Sequence, residues 1–187
     1  MREPDFVDKI EAAVAKMGGT GLILEITERD GIGNDAASLS AMHTLSSRGV
    51  PFAIDDFGIG FSSIGYLQDM PVEIIKADAS FSESIDRDER SCALLCSITM
   101  MGQALGLDVV VEGIERASQL EHLREHVHAP YAQGYLMYRP MPLEQLLGVL
   151  RENRTLPDVR EVTNGHVVDT SAVEVVAEAT PAPTTTA

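Results

Sequence analysis

Residues Pro51 to Gly60 read PFAIDDFGIG. An apolar run ends in two adjacent aspartates, Asp55 and Asp56, and glycines follow at 58 and 60. Neighbouring residues of a strand point to opposite faces, so two adjacent aspartates serve one site only where the chain turns. Gly58 and Gly60 permit that turn, and Phe57 is placed to anchor the loop from beneath. Working outward, similar runs occur as LILEIT (22–27), VEIIKAD (72–78), DVVVEG (108–113) and AQGYLM (132–137). They are apolar almost continuously, as expected of strands covered on both faces. Helical patterning between them spans Asp35–Ser47, Ser62–Leu67, Glu89–Leu105, Ala117–Glu125 and Leu143–Leu150. Strand–helix–strand alternation with short connections implies parallel strands and right-handed crossovers, hence the α/β class. Asp35 is placed to cap the first of these helices, and Gly49 and Gly106 to close two of them in the left-handed conformation.

The chain has 187 residues, with 14 Lys and Arg against 29 Asp and Glu, a formal charge of −15. That balance argues against a surface built to grip a nucleic-acid backbone, which needs basic residues in excess. Apolar residues make up 44 % and charged residues 23 %, a globular composition. No apolar stretch approaches the ~20 residues of a membrane span, and MREPDFVDKI has no secretory pattern, so a cytoplasmic setting is expected. From about Thr155 the helical pattern stops, and EATPAPTTTA closes the chain. Residues 155–187 are expected to be a flexible extension, although VVDTSAVEVV alternates weakly enough to leave an edge strand open.

Acidic residues gather at the C-terminal ends of the strand runs: Glu25 and Glu28, Asp55 and Asp56, Asp78 beside Lys76, then Glu112 and Glu115. In parallel α/β folds this is the edge where ligands bind. So many carboxylates on one rim repel one another unless cations lie between them, and hard oxygen donors suit Mg²⁺ or Mn²⁺. A solvated acidic rim without metal is the plainer alternative.

LEITE, DDFGIGFSSIGYL, IIKAD, VVVEGIE and QGYLMYRPMP occur in one order, and with this spacing the sequence resembles the EAL-domain phosphodiesterases of bacterial signalling. The resemblance implies a TIM-like (β/α) barrel, of which about five parallel strands are present, with residues 1–154 as part of an EAL domain. It implies hydrolysis of cyclic di-GMP to the linear dinucleotide with two divalent ions. By the same resemblance Glu25 ligates the first ion, Asp55 bridges both, and Asp56 and Glu112 ligate the second. Lys76 holds and polarises the attacking water, Asp78 supports it, and Glu28 anchors the DDFGIG loop. Glu115 and Gln133 take supporting or substrate-contact roles. A second copy of the chain and an upstream sensory or GGDEF domain are the partners the resemblance suggests.

The pattern departs from the family in places. Ile59 stands where the family loop has threonine. The Glu-Ala-Leu motif with its arginine, and a strand carrying an asparagine ligand, have no counterpart in residues 1–187. The expectation is a second metal site with its full set of ligands, a first short of two, and a chain without enzyme-like turnover by itself. The alternative is a degenerate module that binds nucleotide or protein without hydrolysis. His122, His126 and His128 read as a solvated helix end. Cys92, Cys96, Met100 and Met101 read as packing residues, and Asp86, Asp88 and Glu89 as acids favoured at a helix start.

Overall fold

The computed structural model describes residues 5–18, 22–27, 36–60, 64–151 and 174–175. The chain forms two compact units, 1–78 with 100–109, and 79–99 with 110–187. The five expected strands are present as β1 (Leu24–Thr27), β2 (Phe52–Phe57), β3 (Ile74–Ala77), β4 (Asp108–Val111) and β5 (Tyr131–Ala132). Glu174–Val175 adds β6, parallel to β5, within the segment where extension and edge strand were both open. In each unit the strands follow chain order, and the paired strands run parallel.

In the first unit β1 pairs with β2 in the register Glu25↔Ala53 and Thr27↔Asp55. Phe52, Ala53 and Ile54 are all buried, as a strand covered on both faces requires. Helix α2 (Ala36–Ser47) buries Ser38, Met42 and Leu45, one face at helical spacing. Its expected cap, Asp35, lies outside the described residues. The helix ends as a Schellman turn: the N–H of Gly49 (φ 82°) donates to Ser46 O, and that of Val50 to Leu45 O. Gly106 (φ 71°) closes α4 (Glu89–Leu105) in the same way, Leu107 N–H reaching Gly102 O at 2.9 Å. Chain reversal is thereby immediate, and Asp108 N–H meets Glu73 O beside β3 at 2.9 Å.

Helix α1 (Phe6–Lys16) was not anticipated. It sets Phe6, Val7, Ile10 and Val14 half-buried on one side, and Glu11 pairs with Arg48 at the end of α2. A short helix, α3 (Ala79–Ser82), also went unread. The helix expected over Ser62–Leu67 is a five-residue 3₁₀ turn, Ile64–Gln68, with Gly65 inside it and Pro71 close behind; Ser62 lies outside the described residues.

In the second unit the run AQGYLM departs most from expectation. Only Ala132 belongs to a strand, because the backbone at Gly134 lies directly on Ile114. Leu136 N–H donates to Ile114 O at 2.9 Å, so the chain curls over Ile114 instead of extending. The helix expected over Ala117–Glu125 is α5 (Ala117–His122) followed by a π turn, Leu123–Val127, which buries both Leu123 and Val127. His128, at φ 56°, ends it. Asp88 does cap α4, its Oδ2 accepting from Ser91 N–H at 2.9 Å and Ser91 Oγ at 2.6 Å. Met100, expected to pack, is 68 % exposed, because Leu95 and Thr99 define the buried side of that helix. The chain closes its described helices with α6 (Leu143–Arg151). Among the described residues no helix is long and apolar enough to cross a membrane.

Candidate metal centre

The two aspartates at the end of β2 lie at a bulge. Ile54 pairs with Ile75 and Phe57 with Ala77, so two residues of β2, Asp55 and Asp56, face only Lys76 on β3. Asp56 takes up the surplus residue in the left-handed conformation, φ 54°, which aspartate tolerates better than most residues. This supplies the turn that strand alternation demanded. It falls at Asp56 itself, ahead of the glycines, and Gly58 continues it at φ 98°. Phe57, at 5 % exposure, holds the bulge down from the core side. Both aspartates are half-buried, and Ile59 in the following loop is exposed.

Lys76 is the counterpart of this bulge. It is 4 % exposed, set between buried Ile75 and Ala77. Its Nζ donates to Asp55 Oδ1 at 2.8 Å and to Glu25 Oε2 at 3.0 Å. A buried ammonium is tolerated only when paired, and here two carboxylates from the two preceding strands share it. Burial is unequal across the triad: the side chain of Glu25 is 45 % exposed and that of Asp55 26 %. The lysine orients both carboxylates and leaves the group with net negative charge. Carboxylate oxygens with residual negative charge suit hard divalent cations such as Mg²⁺ or Mn²⁺. Asp78 follows β3 directly and is half-buried. Glu28 lies outside the described residues.

In the second unit Glu112 opens the loop after β4 and is half-buried. Gln133 N–H donates to Val111 O at 2.8 Å and its carbonyl accepts from Ile114 N–H at 3.1 Å, so Gln133 is laced to the loop that carries Glu112. Glu115 is exposed on the same loop. A residue not singled out from sequence shapes this loop. Gln119, 1 % exposed, accepts the N–H groups of Glu115 and Arg116 on Oε1, both at 2.9 Å, and donates to Ser82 O at 2.8 Å. A glutamine three residues past a helix-starting position was the available signal. Arg116 in turn grips Asp86, with Nη2 2.8 Å from Oδ1, and Ser118 Oγ lies 2.6 Å from Oδ2. The Arg116 guanidinium holds the Asp86 carboxyl down at about 2, with Ser118 assisting against the opposing effect of burial. Asp86 is thus a clasp between segments and not part of a helix cap.

A family model described as the EAL domain matches residues 1–140. The chain is 39 % identical over 150 residues to the cyclic di-GMP phosphodiesterase NbdA of Pseudomonas aeruginosa, covering 79 % of this chain and 19 % of the relative. Among solved structures it resembles the MucR phosphodiesterase of the same organism in complex with cyclic di-GMP, with a TM-score of 0.71 and 36 % identity over 78 % of this chain and 59 % of that one. It also resembles Klebsiella pneumoniae BlrP1 in complex with manganese and cyclic di-GMP, with a TM-score of 0.66 and 28 % identity over 73 % of this chain and 35 % of that one. The chain therefore spans about a fifth of the length of NbdA and three fifths of the MucR chain. The family model spans residues 1–140 and the likeness to NbdA and to the solved structures covers most of the chain, so the chain belongs to the EAL domain family.

Proposed function

We propose that residues 1–154 carry a large part of the catalytic apparatus of a cyclic di-GMP phosphodiesterase, with residues 155–187 as an extension. The observation that carries this reading is the buried Lys76 held between Glu25 and Asp55 beside a bulged aspartate pair. One carboxylate offsets the charge of a lysine at that depth, and the second, with Asp56 at φ 54° beside it, exceeds that need. In this reading Glu25 and Asp55 hold a first divalent ion, and Asp55, Asp56 and Glu112 a second. Mg²⁺ and Mn²⁺ both suit the donors, and the manganese complex of BlrP1 supports a divalent ion in the family. When bound, such ions lower the pKa of a water and offset charge developing on a phosphodiester.

The chain's own residues perform the rest. Lys76 is fixed by two partners, so its ammonium keeps one position, from which it orients the attacking water and the phosphate oxygen. Asp78, directly after β3, supports that lysine. Glu28 steadies the loop after the bulge. Glu115, on the loop that Gln119 holds, and Gln133, hydrogen-bonded to that loop, take supporting or substrate-contact roles. The anionic dinucleotide needs no basic cleft here, because cations bound among the carboxylates supply the attraction. A second copy of the chain, and a sensory or GGDEF segment in the longer protein, are the partners this reading adds. MucR, named as a bifunctional diguanylate cyclase and cyclic di-GMP phosphodiesterase, is a relative in which a second activity accompanies the phosphodiesterase.

The test replaces the matching segment of the MucR phosphodiesterase with residues 1–140 and measures conversion of cyclic di-GMP to the linear dinucleotide with Mn²⁺. Turnover that disappears in Asp55→Asn supports the assignment; turnover retained in that variant refutes it. Tight binding of cyclic di-GMP by the chimera without turnover would favour the non-hydrolysing module instead.

A further inference from the structure

A second set of ligating side chains lies entirely within the second unit. Cys92 and Cys96 sit one turn apart on α4 with their sulfurs 4.0 Å from each other. Cys96 Sγ lies 3.4 Å from the main-chain oxygen of His126, which seats α4 against the π turn. His122 and His126 are likewise four residues apart, their rings 4.3 Å between centroids and tilted by 56°. Cys92, His122 and His126 open into one cavity of about 530 Å³. The thiols are half-buried and not in the core, and the Nε2 of His122 is enclosed without a hydrogen-bond partner. An enclosed ring nitrogen of that kind ordinarily has a partner.

We propose that Cys92, Cys96, His122 and His126 form a Cys₂His₂ site for Zn²⁺ that ties α4 to the turn after α5. Two thiolates on a tetrahedral zinc, at about 2.3 Å each, stand about 3.8 Å apart, close to the separation already present. Two sulfurs with two imidazoles select zinc over the hard ions that carboxylates prefer. Two of the three acids lining the cavity are already engaged, Asp86 by Arg116 and Ser118 and Asp88 by Ser91, and the third, Glu89, is exposed at the start of α4. No three of the four donors converge within 4.8 Å as they stand, so the imidazoles rotate into the cavity on binding.

The experiment uses the full 187-residue chain, reduced and freed of metal with a chelator, and titrates it with Co²⁺. One equivalent is expected to produce the near-ultraviolet thiolate-to-cobalt charge-transfer band and the strong visible bands of a tetrahedral site, both abolished by one equivalent of Zn²⁺. Cys92→Ser and Cys96→Ser should each remove about half of the charge-transfer intensity. His122→Ala should weaken Zn²⁺ by more than the ~10–100-fold that loss of an outer-shell partner costs. His128→Ala should change nothing. Zn²⁺ should also shield both cysteines, the only two in the chain, from alkylation in the unmodified protein, a readout that needs no variant to fold. Absence of the charge-transfer band, failure of Zn²⁺ to shield the thiols, or bands unaltered by the cysteine and His122 substitutions would overturn the site.

Discussion

Replacing Asp86 by asparagine preserves the shape of the clasp and removes its charge. Asp86 receives Arg116 through Nη2 at 2.8 Å and Nε at 3.3 Å, while Ser118 Oγ donates at 2.6 Å. The carboxyl is held at about 2 against an ordinary 3.8. That depression corresponds to roughly 2–3 kcal/mol favouring the folded state at neutral pH. The Asp86 side chain is 9 % exposed but Arg116 is 39 % exposed, so solvent screening reduces this to about 1–2 kcal/mol. A folded pKa below the unfolded one gives stability that is complete above about 4 and lost as pH falls through 2. Asp86→Asn should therefore cost about 1–2 kcal/mol at pH 7, about half that at pH 3, and little near pH 2. Urea unfolding of both proteins at each pH measures the gap, which at constant slope appears as a midpoint shift of about 0.5–1 M at pH 7. An equal gap at pH 7 and pH 3, or no gap at pH 7, would refute the clasp as the source of the shift.

Three further outcomes are expected. Lys76→Met leaves the Glu25 and Asp55 carboxylates without their shared cation, so urea unfolding at pH 7 should show a loss of about 1–3 kcal/mol, below the full cost of an orphaned buried charge because Glu25 is partly exposed. In the MucR chimera, Asp55→Asn should lower cyclic di-GMP turnover by more than the about 10–100-fold that an outer-shell change costs, measured by product formation with Mn²⁺. Gly113 has φ 73°, and a Cβ there would stand 2.6 Å from the Cβ of Ala79, so Gly113→Ala should lower stability by at least about 2 kcal/mol in the same urea assay.

The features legible in the sequence are those set by local periodicity. Phe52 to Ile54 and Val109 to Val111 are buried throughout, and an uninterrupted apolar run signals such strands before any partner is known. Gly49 and Gly106 read as helix ends because the left-handed closing residue is chosen locally. The amphipathic spacing of Phe6, Val7, Ile10 and Val14 was equally open to reading, and α1 was missed although its pattern was present. Features that depend on distant partners were not legible. The clasp joins Asp86 to Arg116 across 30 residues, and the curl after Ala132 exists because Gly134 meets Ile114.

The bulge at Asp55 and Asp56 stands between these cases. Sequence alone shows that two adjacent aspartates require a turn, but not where it falls, since register is a property of β2 and β3 together. What β3 contributes is a lysine inside Ile74-Ile75-Lys76-Ala77, a run otherwise suited to full burial. A lysine there must find carboxylates within reach of its stem, and parallel pairing offers those carried by the two preceding strands. Glu25 on β1 and Asp55 on β2 are those carboxylates, Glu25 registered against Ala53 and Thr27 against Asp55. The buried cation thus constrains the register: slipping β3 by one residue would turn Lys76 away from both acids and leave its charge unpaired. The residues proposed to handle the phosphodiester are in this way also residues that hold their strands in alignment.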